Sequence, residues 1–128
     1  MTFVRLVAVC FMLLATSVDA RAGEHHRFDA KTFQAATESG KPVVVHITAP
    51  WCGECRAQKP IVAELIQRTE FQDLIVFEAD FDSQKDALRQ FKAQKQSTLI
   101  AFRGKEERGR AVGITRPDKI EALMKKAL

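Results

Sequence analysis

The sequence predicts a small α/β domain, and three observations carry that prediction. Two runs, Pro42 to Ala49 (PVVVHITA) and Leu74 to Phe81 (LIVFEADF), are β-branched or apolar at nearly every position, as in buried strands. Segments with apolar residues at helical spacing lie between and after them, so the order reads strand, helix, strand, helix. A hairpin and a last helix follow. With 128 residues, 46% of them hydrophobic, the chain can fill one core and has no room for a second domain.

Taken in order, the first element is a leader. Arg5 precedes the apolar stretch Leu6 to Leu14, and Ala20-Arg21-Ala22 supplies a small-x-small cleavage site, so residues 1–22 read as a secretory signal peptide. The apolar run is well short of the roughly 20 residues a membrane span needs, so no stable insertion is expected after cleavage. The domain is then residues 23–128, exported to a periplasmic or other extracytoplasmic space. Cleavage could follow Ala20 or Ala22.

His25 to Phe28 is short and polar. Asp29 can cap a helix that runs through Glu38 with Phe33 and Ala36 on its inner face, and Gly40 ends it. Pro42 to Ala49 is the central strand. From Cys52 to about Thr69, Ile61, Leu65 and Ile66 keep helical spacing, and Pro60 removes a backbone donor and should kink the helix. Leu74 to Phe81 is the second strand, and Ser83 to Ala93 a helix with Leu88 and Phe91 on one face. Thr98 to Arg103 is a third strand, Gly104-Lys105 a turn, and Glu107 to Val112 an edge strand interrupted by Gly109. Pro117, suited to a first helical position, begins the closing helix, with Ile120, Leu123 and Met124 inside.

The chemistry concentrates at Trp51-Cys52-Gly53-Glu54-Cys55, beyond the end of the central strand and at the start of a helix. A Cys-x-x-Cys there brings two sulfurs within disulfide reach, and the free backbone N–H groups and dipole of the helix favour the thiolate of the first cysteine. Leader removal would take away Cys10, leaving Cys52 and Cys55 as the only cysteines of an exported domain. So small a loop removes little unfolded-chain entropy, and the pair is expected to act chemically. Without the leader the formal charge falls by one from +4, too mild and dispersed for a nucleic-acid footprint.

The active-site stretch Ala49 to Pro60 and the element order resemble the thioredoxin family: Trp51-Cys52-Gly53-x-Cys55 matches its motif, and Pro60 its helix-kinking proline. The resemblance covers essentially all of residues 23–128. It implies a thioredoxin-like fold, a central mixed sheet flanked by helices, with a disulfide-exchange site at the carboxyl end of a strand. Cys52 would be the exposed nucleophile and Cys55 the buried resolving thiol. Trp51 would cover the site, Gln96 and Ser97 would orient a substrate strand, and Gly113 would flank its groove.

Three departures from the family pattern bear on mechanism. The family has a cis-proline facing the two sulfurs, where this chain has Ser97. A cis Gln96–Ser97 peptide would cost roughly 2.5–4 kcal/mol, so it is either trans or held at that cost. The family's buried aspartate and its neighbouring lysine are replaced by His46 and Glu78. A His46–Glu78 contact would keep a proton-transfer group under the cysteines, with a pKa nearer neutrality than a lone carboxylate; alternatively His46 is a hydrogen-bonded core histidine and Glu78 an unrelated surface residue. Glu54 stands where proline is usual; its charge disfavours the Cys52 thiolate, with Arg56 and Lys59 as possible offsets.

The expected activity is thiol–disulfide exchange with protein disulfides through Cys52 and Cys55, in the reducing direction, without a cofactor and with electrons from a membrane partner. A rival from another class is a soft-metal module. The two thiolates could hold Cu(I), and a terminus at Gly23-Glu24-His25 could hold Cu(II) through its amine, two amides and the imidazole. A third possibility, a non-catalytic protein that holds extended segments in the groove, is disfavoured by the intact cysteine pair.

Overall fold

Every inward or outward turn of β2 (Pro42–Thr48) meets a packed layer, and this burial explains why its sequence is apolar with almost no alternation. The computed structural model describes Ser17 and residues 21–128. The segment read as a signal peptide, Cys10 included, otherwise lies outside the described residues. The elements that follow are β1 (Glu24–Arg27), α1 (Ala30–Glu38), β2, α2 (Gly53–Leu65), a 3-10 turn (Thr69–Phe71), β3 (Ile75–Asp80), α3 (Lys85–Phe91), β4 (Thr98–Arg103), β5 (Glu106–Val112) and α4 (Pro117–Lys125).

The strands form one five-stranded sheet in the order β1-β3-β2-β4-β5. β1 and β2 run parallel to β3, β4 is antiparallel to β2, and β5 returns antiparallel to β4. The sheet is therefore mixed, as expected. One face carries α1 and α3 over Val43, Val45, Ile47, Phe77 and Ile100; the other carries α2 and α4 over Val44, Val76, Leu99 and Ala101. Each strand's period of two sends alternate residues to opposite cores.

The local signals act as anticipated at several ends. Asp29 caps α1, its carboxylate accepting from the Thr32 amide at 2.9 Å, and Gly40 leaves the helix at φ +74°. Pro117 opens α4, and Pro60 sits inside α2. β5 bulges at Arg108: Ala101 pairs with Gly109 and Phe102 with Glu107, so one extra residue is accommodated beside the glycine.

Two regions differ from expectation. His25 to Phe28, read as a short polar stretch, contributes to β1, an edge strand held to β3 by backbone pairing from Glu24–Ile75 to Arg27–Glu78. Helix α2 ends at Leu65 instead of continuing to Thr69, because the chain tightens into turns there and then forms the 3-10 turn, which seats Phe71 in the core. Among the described residues no helix is long and apolar enough to cross a membrane.

Candidate active site

Cys52 is the N-cap of α2, with extended backbone, and its sulfur accepts from the Cys55 amide at 3.1 Å. The local fold thus aims a helix N-terminus at this sulfur, and the same amide favours the thiolate once the pair is reduced. Cys52 and Cys55 are joined in a disulfide with Cα atoms 5.3 Å apart. Cys55 is wholly buried, as the resemblance implied. Cys52, expected to be exposed, is only 3% exposed. In this oxidised form it packs with Cys55 and Ala49, beside Phe81.

Trp51 is 56% exposed and stands edge-on to Phe81, with its indole N–H donating to Asp82 at 2.8 Å. It flanks the disulfide on the β3–α3 side. Ser97 and Gly113 lie on the opposite side. The Gln96–Ser97 peptide is trans, since the described residues contain no cis bond, and Ser97 is buried with φ +56°. Three bonds hold this uncommon serine conformation. Its carbonyl accepts from the Gly113 amide at 3.0 Å and from Gln58 at 3.2 Å, and its hydroxyl donates to Glu54 at 2.8 Å.

Glu54 therefore reaches across to the loop that precedes β4. Gly113 makes room for it: a Cβ built there would lie 3.3 Å from the carboxylate, and φ is +73°. Gln96 is half-buried in the same loop.

His46 and Glu78 are register partners on β2 and β3. Of the two readings the sequence left open, His46 takes that of a hydrogen-bonded core histidine, and no hydrogen bond joins it to Glu78. His46 Nε2 pairs with Gln58 Oε1 at 2.8 Å. Glu78 turns to other groups: Lys59 at 2.8 Å, His25 at 3.2 Å, and the Thr48 hydroxyl, which donates at 2.8 Å. The reason is competition: α2 delivers a carboxamide to His46, while Glu78 finds a lysine, an imidazole and a hydroxyl near the half-exposed edge. Those donors, His25 first, hold the Glu78 carboxyl far below the ordinary carboxylate range. Burial pushes the His46 imidazole below its usual value, against a weaker opposing pull from Gln58 and Glu78. His46 is therefore neutral at pH 7, further from the cation than the sequence suggested.

Gln58 is the member that sequence reasoning missed. It is wholly buried, and its amide nitrogen donates to both Ser97 and Ile114 carbonyls, the latter at 2.8 Å. A signal existed: Cys55, Gln58, Val62 and Leu65 fall on one helical stripe, and all four are buried. A polar residue on such a stripe needs a partner.

The metal reading finds little to stand on. No group of three potential ligands gathers among the described residues. The Glu24 amide, which a terminal copper site would have to deprotonate, donates to the Leu74 carbonyl at 2.9 Å, and the His25 imidazole is engaged by Glu78.

Comparison with known proteins matches this arrangement. The family model described as Thioredoxin covers residues 24–126. A thioredoxin H-type from Fagopyrum esculentum is 32% identical over 91 residues, 71% of this chain and 77% of that protein. A bifunctional thioredoxin reductase/thioredoxin from Mycobacterium leprae is 34% identical over 85 residues, 66% of this chain and 18% of the longer protein. Among solved structures, Trxlp from Edwardsiella tarda superposes with a TM-score of 0.77 at 36% identity, covering 79% of this chain and 98% of the other. With its sheet order, helix-capping cysteine pair and this family match, the chain belongs to the thioredoxin family and is a thiol–disulfide oxidoreductase.

Proposed function

We propose that the protein works as an exported reductant of protein disulfides. The observation that carries the chemistry is the Cys52–Cys55 disulfide at the N-terminus of α2, with a neutral, buried histidine on the strand that leads into it.

In the reduced enzyme, Cys52 thiolate attacks a substrate disulfide; a Cys52–substrate bond forms and the first substrate sulfur leaves as thiolate. Cys55 then gives its proton to His46, directly or through water, and its sulfur attacks Cys52. The mixed disulfide breaks, the second substrate sulfur leaves, and the enzyme is left oxidised by two electrons. Glu78, held ionised, steadies the charge that His46 acquires. Trp51 on one side and Gln96, Ser97 and Gly113 on the other bound the groove in which the substrate strand lies.

The export reading rests on Arg5, the apolar Leu6 to Leu14 and Ala20-Arg21-Ala22. A chain cut after Ala22 keeps every described element, since the Gly23 amide donates to the Ile66 carbonyl at 2.7 Å and β1 begins at Glu24. In such a compartment the electrons come from a membrane donor. The reductase fused to the Mycobacterium leprae relative supports the reducing direction, with a dedicated donor, in that protein.

Direction is tested by equilibrating residues 23–128 with glutathione or dithiothreitol. A potential near the thioredoxin value of about −270 mV supports a reductant, and one near about −120 mV makes the protein a disulfide donor. Export is tested by the mass of the protein recovered outside the cytoplasm, which should begin at Arg21 or Gly23.

A further inference from the structure

We infer that Gln58 fixes His46 as the tautomer with its proton on Nε2, so that Nδ1 is the only ring nitrogen with a free lone pair. The argument is one of donor and acceptor supply. The Gln58 amide group faces two backbone carbonyls, Ser97 at 3.2 Å and Ile114 at 2.8 Å. Carbonyl oxygens can only accept, so the NH₂ must face them, and both its hydrogens are spent there. The Oε1 atom is left 2.8 Å from His46 Nε2. An oxygen can only accept at that contact, so Nε2 must carry the proton. Reversing the amide would set its oxygen against two carbonyl oxygens in a wholly buried place.

The surroundings give the free nitrogen a use. His46 borders a cleft of about 230 Å³ that is also lined by His25, Lys59, Glu78, Val62 and Ile66. The charged or titratable groups that face it are Glu78 from β3, Lys59 from α2 and His25 from β1, and Lys59 and His25 are both paired with Glu78. A proton taken up by His46 sits on a ring that borders this cleft, with the Glu78 carboxylate, its register partner, as the neighbouring anion. Gln58 is thus a positioning residue. It also holds the Ser97 carbonyl, so the form of the imidazole and the shape of the groove loop depend on one amide.

The use of Nδ1 as proton acceptor rests on the role proposed above for His46; the tautomer does not. The test is a long-range ¹H–¹⁵N correlation spectrum of the imidazoles in ¹⁵N-histidine-labelled residues 23–128, oxidised and reduced, at pH 7.5. A protonated Nε2 and an unprotonated Nδ1 at His46 support the inference. A protonated Nδ1, or an averaged signal from both tautomers, overturns it. Gln58→Met, which keeps the length and removes both functions, should give the averaged signal and slow resolution of a Cys52 mixed disulfide at least about 10-fold. An unchanged His46 spectrum in that variant would also overturn the inference. Should Gln58→Met not fold, the wild-type spectrum decides alone. If wild type shows the Nε2–H form while His46→Leu resolves the mixed disulfide at the full rate, the lock stands and the proposed role of His46 fails.

Discussion

The two faces of the sheet are built from the same strands and differ in kind. On β2, Val43, Val45 and Ile47 point to one core, while Val44, His46 and Thr48 point to the other. The first core holds Phe28, Phe33, Phe77, Phe91 and Phe102, with neighbouring rings 5.0 to 6.3 Å apart and mostly edge to face. Such pairs contribute about 0.5–1.5 kcal/mol each beyond their burial. The second core interrupts its apolar packing with the bonded pair His46 and Gln58, which Gln58 ties to the loops beside the disulfide, and with the hydrogen-bonded pair Thr48 and Glu78. Changes among the rings of the first core should fall on stability alone, whereas changes to the polar groups of the second should fall on the chemistry as well as on stability.

That contrast can be broken most severely at Cys52. Cys52→Ser should bring turnover of a disulfide-bonded protein substrate below detection and leave the melting temperature of the reduced protein nearly unchanged. On the other face, Phe33→Ala should cost about 3–5 kcal/mol in denaturant unfolding. The reduction potential of the folded fraction should stay the same; a shifted potential would show that the faces are coupled.

Acid sharpens the comparison. The folded pKa of His46 lies below its ordinary value of about 6.5, so the unfolded chain binds that proton first and stability falls as pH drops below that value. His46→Leu should remove this slope in thermal melts between pH 7 and 5. Glu78 acts at lower pH: its depressed pKa gives stability that is present above the ordinary carboxylate value and lost as pH falls below it. Glu78→Gln should flatten that acid limb. The smallest change expected is Ser97→Gly. It relieves a left-handed serine, loses one hydrogen bond to Glu54, and should alter stability by no more than about 1 kcal/mol.

What the sequence made legible follows from how local each signal is. Strand β4 spans Thr98 to Arg103 as expected, because its apolar run ends at a charged residue and a glycine turn. The cysteine pair announced its helix through spacing alone. Strand β1 was not legible, since Glu24-His25-His26-Arg27 has no β-branched residue and owes its conformation to the backbone of β3. The partners of His46 and Glu78 were left open for a related reason. Register correctly placed the two residues side by side, but the partner each chose depended on Gln58, Lys59 and His25, which arrive from α2 and β1. The trans, left-handed Ser97 was open in the sequence and is fixed by contacts with three distant residues.

Strand β1 has one more consequence, for behaviour in concentrated solution. It covers the outer edge of β3, whose Ile75, Val76 and Phe77 would otherwise present an unpaired apolar edge to other chains. Four polar or charged residues, of little worth to the core, act as a guard against edge-to-edge aggregation. A protease that trimmed the chain to Phe28 would spare both cysteines but take His25 from Glu78 and uncover the edge of β3.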